Sequence, residues 1–319
     1  MKLPILISVV LLAFAQLPVH AQDNFPPPQI RLVLGFPPGA TTDLVARMLA
    51  RRLSVQMNVT VFADNKPGAD ANIAAEFVAK AKPDGQTLLF NTPSLVLSRV
   101  LSDKLQYDAL KDLSPVALVA SSPYVLVTHP SVGATTVSEF IAQLKANPDK
   151  LAYGSAGSLS HFAPLLFLQA NGLTALHVRY KGGGPALVDL VGGRIQFLMT
   201  GQTAVMPMVK DNRIKALAFT ALKRSPLLPE VPTLHESGMP GFEIGAWFGV
   251  MVPANTPAAM VRRFNAEIVK AMQDTEMKSR LAQEGAEALS STPEQYGAYF
   301  KGELERWTKV ARGAGLKSE

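Results

Sequence analysis

The chain contains no cysteine. A disulfide framework, a thiol nucleophile and an N-terminal cysteine for lipid attachment are therefore excluded. The five histidines form no HExxH or comparable ligand spacing, so the sequence predicts no metal site. GxGxxG and P-loop patterns are also absent, and we predict no cofactor.

Long apolar runs are absent except at the N-terminus. Lys2 precedes an apolar stretch over residues 3–17, which is too short to span a bilayer stably. Val19 and Ala21 provide the small residues of a cleavage site. We predict a signal peptide over residues 1–21 and a mature protein free in a bacterial periplasm, without a lipid anchor.

The net charge of +6 and the pI near 9.4 do not indicate nucleic-acid binding. Lysines and arginines are scattered along the chain rather than clustered with aromatic residues, which favours an ordinary solvated surface. A modest positive field would still help to steer anionic solutes toward the protein.

Residues 30–47, IRLVLGFPPGATTDLVAR, show the pattern on which the chain is built. An apolar strand is followed by a loop of small residues and then by apolar residues at helical spacing. Thr42 or Asp43 could cap that helix, and Gly39 would let a ligand approach the backbone. The N-terminus of such a helix favours an anion, although an ordinary strand-to-helix connection has the same pattern.

The same strand–loop–helix order recurs along the chain in two series, which predicts an α/β fold with two domains. We place domain 1 at residues 22–125 plus 247–319 and domain 2 at residues 126–246, because the terminal helices need a sheet to cover. Ligands of parallel sheets bind beyond the carboxyl ends of the strands, where these loops lie. Six loops contain small or hydroxyl residues: 39–42, 68–72, 91–94, 154–160, 182–184 and 201–203.

This arrangement is typical of a binding module rather than a reaction centre. A Ser–His–Asp hydrolase built from Ser155, His161 and Asp189 stays open as an alternative, because catalytic triads are spatial and not sequential. The GxSxG spacing of a nucleophile elbow is absent. His161 has two interpretations: a residue satisfied by the neighbouring loop, or a donor to a ligand oxygen.

Long motifs extend this interpretation, among them FPPGATTDLVAR, NKPGADANIAAEFVAKAKPDGQTLLF, YGSAGSLSHFAPLLF and HVRYKGGGPALVDLVGGRIQF. Together with RSPLLPEVPTLHESGMPGFEIGAWFGVMVPANTP, they resemble the periplasmic receptors of tripartite tricarboxylate transporters, the Bug or TctC family. The resemblance covers nearly all of the mature chain. It implies a two-domain Venus-flytrap receptor, not an enzyme, in which each domain is a mixed, mainly parallel sheet flanked by helices.

The resemblance also implies a ligand and partners. The ligand would be a small di- or tricarboxylate, an aromatic acid or an amino acid, and a monomeric receptor would deliver it to membrane permease subunits. The loops at 36–43 and 68–72 would hold one carboxylate, and the region of 155–161 with Asp189 would face the other end. A signalling co-receptor that presents its ligand to a sensor is a further alternative.

Two departures from the family pattern matter for the site. Ala40 stands where the family usually has glycine, and Asp70 lies in a PGADA segment where the family usually has PGAGG. Asp70 either points to solvent or meets a cationic or neutral polar group of the ligand, because like charges at about 4 Å cost roughly 1–4 kcal/mol. Asp189 likewise lies on a helix face or binds an amine or hydroxyl.

Phe248 is the remaining ambiguous residue. It could belong to the core or wall the cleft, whereas Trp247 on the opposite face of its strand is expected in the core. The complete predicted ligand site consists of Phe36, Gly39, Ala40, Thr41, Thr42, Asp70, Ala71, Asn72, Asn91, Ser94, Ser155, Ser158, Ser160, His161, Asp189, Thr203 and Phe248.

Overall fold

The structure is a computed structural model that describes residues 25–39, 41–102 and 104–313. The predicted signal peptide and Ala40 lie outside the described residues. The strands are β1 Gln29–Leu34, β2 Thr60–Asn65, β3 Thr87–Asn91, β4 Leu113–Thr128, β5 Ala152–Ser155, β6 Leu176–Arg179, β7 Phe197–Gly201, β8 Lys215–Phe219, β9 Gly245–Pro253 and β10 Glu287–Ala288. The helices are α1 Thr41–Met57, α2 Asn72–Ala79, α3 Ser94–Leu101, α4 Val137–Ala146, α5 Ser158–Ala170, α6 Gly183–Val191, α7 Gln202–Lys210, α8 Ala258–Gln273, α9 Thr275–Gln283 and α10 Pro293–Gly313.

The first sheet has the strand order β2-β1-β3-β9-β4. Its first three strands are parallel and are joined through α1 and α2, whereas β9 and β4 continue the sheet in antiparallel pairing. Ile30, Leu32 and Leu34 of β1 belong to one core cluster with the buried face of α1, as the periodicity predicted, and Val33 packs on the opposite face of the sheet. This sheet with α1–α3 and α8–α10 is called the first lobe below.

The second sheet also combines three parallel strands with antiparallel pairing to β4. Strands β6, β5 and β7 are parallel neighbours, and the end of β4 pairs with β7 on one side and with β8 on the other. This sheet with α4–α7 is called the second lobe. In both lobes the loops that follow the parallel strands lead directly into helices, so the helix N-termini gather at the carboxyl edge of each sheet.

Strand β4 belongs to both sheets. The sequence predicts two short strands here, but the structure has one strand of 16 residues. It pairs with β9 as far as Pro123 and with β7 and β8 from Tyr124 onward. The register against β9 shifts between Pro115 and Ala117, which accommodates a residue that has no backbone N–H to donate.

The C-terminal helix α10 closes the first lobe. Its Glu303 is buried and accepts hydrogen bonds from the indole Nε1 of Trp247 at 3.3 Å and of Trp307 at 3.0 Å. Trp247 is therefore a core residue, as expected. Among the described residues, no helix is long and apolar enough to cross a membrane.

Candidate functional site

The loop after β1 is anchored through hydrogen bonds to a buried carboxylate. Asp43, which is 4 % exposed, accepts hydrogen bonds from the Gly39 N–H at 3.0 Å, from Arg47 Nε at 2.9 Å and from Asn65 Nδ2 at 2.9 Å. Asn65 also donates to the Phe36 carbonyl at 2.9 Å. Because α1 already begins at Thr41, Asp43 anchors the preceding loop and does not cap the helix in the predicted way.

The charge state of Asp43 follows from these contacts. Burial alone would raise the pKa of this carboxyl group, but hydrogen bonds from Arg47, Asn65 and Gly39 outweigh it and keep the pKa below its usual value. The loop at residues 36–39 is thus hydrogen-bonded to the negatively charged carboxylate of Asp43. Gly39 itself is exposed, and Thr41 and Thr42 are half-buried at the start of α1.

The second loop packs directly against the first. A Cβ atom on Gly35 would lie 2.2 Å from the Cβ of Ala71, so only glycine fits at this crossing of the two loops. Ala69, Asp70 and Ala71 form a 3₁₀ turn in which all three residues have positive φ, at 47°, 52° and 72°. Asp70 and Ala71 therefore occupy left-handed backbone positions where glycine would be unstrained.

Asp70 reaches from this loop to the second lobe. Its Oδ2 accepts hydrogen bonds from the Ser158 N–H at 3.2 Å and from the Ser158 hydroxyl, and its Oδ1 accepts from the Ser94 hydroxyl at 3.1 Å. A Cβ on Gly157, whose φ is +139°, would lie 3.1 Å from Asp70 Oδ1. The expectation that Asp70 points to solvent is therefore wrong: its carboxylate lies between the lobes, at the N-terminus of α5.

Two predicted asparagines are used by the fold itself. The Asn72 amide donates to the Ala69 carbonyl at 2.7 Å and to Ser98 at 2.9 Å, and its oxygen accepts from the Tyr107 hydroxyl. Asn91 is buried and accepts a hydrogen bond from the Tyr296 hydroxyl at 2.8 Å. Both side chains position the loops of the first lobe through these hydrogen bonds, and their predicted role in ligand binding stays a prediction.

The loop before α5 also ties itself together. Ser160 Oγ accepts from the Ala156 N–H at 2.8 Å and donates to the Gly157 carbonyl at 3.0 Å, so it shapes the loop and its hydroxyl is not free for a ligand. Ser158, two residues earlier, faces the first lobe through Asp70. The role of this loop in the ligand site stays a prediction, whereas the Ser160 hydroxyl is already used within the loop.

Behind this loop lies a stack of aromatic and imidazole rings. The rings of His161 and His177 are parallel with centroids 4.1 Å apart, and Tyr153 stacks on His177 at 4.9 Å. The Tyr153 hydroxyl lies 3.1 Å from His161 Nδ1, and the Ser155 hydroxyl lies 2.7 Å from His177 Nε2. This side-chain network, called the imidazole stack below, spans β5, β6 and α5.

The imidazole stack is neutral near pH 7. Burial, together with the neighbouring His177 and Arg179, lowers the pKa of His161 to about 4. Burial and Arg179 also lower the pKa of His177. Burial raises the pKa of the Tyr153 hydroxyl to about 12, so this phenol stays a hydrogen-bond donor.

The Ser155–His161–Asp189 triad does not form. Ser155 is hydrogen-bonded to His177 instead of His161. Asp189 lies on α6, where its oxygens accept from the Tyr180 hydroxyl at 2.8 Å and from Arg194 Nη1 at 2.6 Å. These two partners keep the pKa of Asp189 below its usual value, Arg194 contributing most. Asp189 is thus a helix-face residue.

Thr203 and Phe248 both make contacts within the protein. The Thr203 hydroxyl donates to the Glu284 carbonyl, and neighbouring Gln202 donates to the Gly285 carbonyl at 2.5 Å, which joins α7 to the loop after α9. Phe248 is 1 % exposed and stacks on Phe90 at 5.7 Å in the core of the first lobe. The interpretation that Phe248 walls the cleft is wrong, because its side chain is buried in a core cluster with residues of α1 and α8.

Several residues of the site were not predicted. His177 joins the site because β5 and β6 pair in a register that places Tyr153 beside His177. Its only sequence signal was its place in the predicted strand at residues 176–180. Gln202 and Asn65 act through partners more than 20 residues away, and no local pattern identifies such contacts.

Comparison with known proteins identifies the family. The family model of the tripartite tricarboxylate transporter family receptor, TctC, matches residues 45–316. The chain belongs to this receptor family. The protein BugT of Bordetella pertussis is 36 % identical over 304 residues, which cover 94 % of this chain and 93 % of BugT.

Solved structures of similar proteins support the same conclusion for this TctC receptor. Rpa4515 of R. palustris, solved with adipate, has a TM-score of 0.87 and 34 % identity, and the match covers 92 % of this chain and 99 % of that one. MatC of Rhodopseudomonas palustris, solved with bound malate, has a TM-score of 0.82 and 31 % identity over 90 % of this chain and 99 % of its own. The fold is therefore the two-domain Venus flytrap, as the resemblance implied.

No group of three or more histidine, aspartate or glutamate side chains that could hold a metal ion occurs between residues 25 and 313, so far as these are described. The donors that the cleft does offer are backbone N–H groups, hydroxyl groups and helix N-termini. Such donors bind anions without a metal.

Proposed function

We propose that this TctC receptor captures a small carboxylate between its lobes in the periplasm and delivers it to membrane permease subunits. The chain would act as a monomer with a cleaved signal peptide at residues 1–21 and without enzymatic activity. The lobe boundaries would follow residues 22–125 plus 247–319 and residues 126–246. The adipate and malate bound to similar receptors support the ligand class.

The observation that carries this proposal is the convergence of helix N-termini from both lobes. A Cβ on Gly201, at the end of β7, would lie 3.7 Å from Thr41 Oγ1 at the start of α1. Ser94 at the start of α3 and Ser158 at the start of α5 share the carboxylate of Asp70. A ligand between these elements would meet positive helix ends from two sides.

A thermal-shift screen of the mature protein tests this function. Carboxylates of several lengths, aromatic acids and amino acids are compared with their neutral amides as matched controls. A ligand at 100 times its Kd stabilises the folded state by about 2.7 kcal/mol, which corresponds to a rise in Tm of about 5–10 °C. If acids and their amides give the same Tm at every pH tested, the carboxylate proposal fails.

One contact favours a second candidate function. The Ser155 hydroxyl and His177 Nε2 are close enough for proton transfer, at 2.7 Å, which is the geometry of a nucleophile and its base. A periplasmic serine hydrolase would turn over ester substrates and lose this activity in Ser155→Ala. We expect no turnover above the buffer rate in either protein, since Asp189 orients neither histidine.

A signalling co-receptor would use the same ligand cleft but a different partner. Pull-down of the ligand-loaded protein with separate permease and sensor domains distinguishes these partners. We expect ligand-dependent binding to the permease, and binding to the sensor alone would favour the co-receptor.

A further inference from the structure

Asp70 is a carboxylate of the receptor itself that lies in the cleft between the lobes. It accepts three hydrogen bonds, one from Ser94 of the first lobe and two from Ser158 of the second. An ionised carboxylate has about four acceptor positions. Since both hydrogen bonds from Ser158 go to Oδ2, one acceptor position remains on Oδ1, beside Gly157.

The charge of Asp70 has no cationic partner in the described part of the chain. Its partners there are hydroxyl and N–H groups, which are neutral. The side chain is half-buried, so water screens it only partly. Burial raises the pKa of the Tyr124 hydroxyl, and the negative charge of Asp70 raises it further. Asp70 thus creates a negative potential in a cleft whose helix ends are otherwise positive.

The backbone conformation at Asp70 is costly for a residue with a side chain. Its φ of 52° and ψ of 48° are those of a left-handed helix, and both neighbours also have positive φ. Aspartate and asparagine tolerate this region better than other non-glycine residues, because their short polar side chains bond locally. Here the side chain bonds across the cleft instead of locally.

We propose that Asp70 determines the ligand specificity of this receptor: it selects ligands that carry one carboxylate and one ammonium group, and it discriminates against dicarboxylates. The carboxylate of the ligand binds at the loop of residues 36–39 and the N-terminus of α1. The ammonium group binds at the remaining acceptor position of Asp70. This inference rests on the proposed function and names its ligand class.

A second carboxylate on the ligand is disfavoured for two reasons: its hydrogen-bond donors are already occupied, and Asp70 carries a like charge. Ser158 N–H and both serine hydroxyls already bind the Asp70 carboxylate, so a second carboxylate of the ligand finds these donors occupied. It would also lie beside a like charge. Two unit charges about 4 Å apart interact by roughly 1 kcal/mol in water and about 4 kcal/mol near a protein surface. An ammonium group in the same place is attracted to Asp70 by an interaction energy of similar size.

Isothermal titration of matched ligand pairs tests the proposal. The first pairs are adipate with 6-aminohexanoate and succinate with 4-aminobutyrate, and any other acid found in the thermal screen is paired in the same way. The proteins are the wild type, Asp70→Asn and the control Asp211→Asn, which removes an exposed carboxylate at the end of α7.

We expect the wild type and Asp211→Asn to bind the amino acid of a pair at least about five-fold more tightly than the dicarboxylate. Asp70→Asn should abolish or reverse this ratio, because the amide keeps the side-chain shape without the charge. The same ratio in the wild type and Asp70→Asn, or a dicarboxylate preference in the wild type, would overturn the inference.

Two further results distinguish failure of this inference from failure of the proposed function. A second variant covers the case in which the first does not fold. Binding of dicarboxylates with no effect of Asp70 overturns the specificity but leaves the carboxylate receptor intact. A screen without any bound carboxylate overturns both. Asn tolerates the left-handed backbone, and Asp70→Gly relieves it completely, so the glycine variant gives the same ratio test if the asparagine variant does not fold.

Discussion

His161 is kept neutral by its neighbours in the imidazole stack. Its pKa falls from an ordinary 6.5 to about 4 in the folded protein. Between these values the unfolded chain binds a proton that the folded protein does not bind. The stabilising contribution of neutral His161 is therefore fully present above pH 6.5 and is lost as the pH falls through this window toward 4.

Replacement of His161 should flatten the pH dependence of stability. We expect the Tm of His161→Gln to fall less than that of the wild type between pH 7 and pH 4, because the variant has no imidazole to protonate. Scanning calorimetry across this range measures the difference. His235→Gln, at an exposed histidine in the connection before β9, serves as the control and should follow the wild type. Parallel curves for His161→Gln and the wild type would contradict this account.

Removal of the Asp43 carboxylate should weaken both folding and binding. In Asp43→Ala the Gly39 N–H, Arg47 and Asn65 lose their acceptor, which costs about 1–3 kcal/mol for a buried group. Urea unfolding measures this loss, and titration with the identified ligand measures the affinity. Asp84→Ala, in an exposed turn, is the matched control. Unchanged affinity at reduced stability would show that this loop does not contact the ligand.

The contact between the first two loops depends on a glycine. Gly35→Ala would bring its Cβ to 2.2 Å from the Cβ of Ala71, so one loop must move. We expect a loss of about 1–3 kcal/mol of unfolding free energy and weaker ligand binding. Thermal unfolding compares Gly35→Ala with the control Gly184→Ala, where an added Cβ meets no atom within 4 Å. Equal Tm values for both variants would exclude this packing argument.

The sequence predicted elements better than their connections in space. β1 and α1 were predictable because apolar periodicity is a local property. The continuity of β4 was not, because prolines at 115 and 123 indicate breaks although the strand only shifts register or changes partner there. The role of Asn91 was equally hidden, since its partner Tyr296 lies 205 residues further along the chain.

The resemblance named loops for the site but could not assign the contacts of each side chain. Ser158 and Asp70 were both in the predicted set, yet their contact depends on how the lobes meet. His177 was absent from that set, because the register of β5 with β6 is a property of the sheet and not of either strand alone.

At the scale of the whole molecule, ligand exchange should require separation of the lobes. The chain has no cysteine, so a pair introduced at Thr41 and Gly201 contains its only thiols. The 3.7 Å between a Cβ at 201 and Thr41 Oγ1 allows a disulfide after a small adjustment. We expect the oxidised double variant to neither release nor take up ligand.

The same double variant contains its own control. Reduction should restore exchange at the wild-type rate, and each single cysteine variant should exchange ligand under oxidising conditions. Stopped-flow release into excess unlabelled ligand measures these rates. Exchange by the oxidised protein at the wild-type rate would show that the cleft opens elsewhere.

The sharing of β4 by both sheets has a mechanical consequence. A strand of 16 residues spans about 50 Å, and it is held against bending by hydrogen bonds to β9 along its first part and to β7 and β8, on its two edges, along its last part. It resists twisting much less, because strands are already twisted. Rotation of the lobes then twists β4 near Pro123 together with the start of β9 at Gly245, which pairs with it where the chain crosses between the lobes a second time, so the torsional stiffness of this two-stranded ribbon opposes the opening of the receptor.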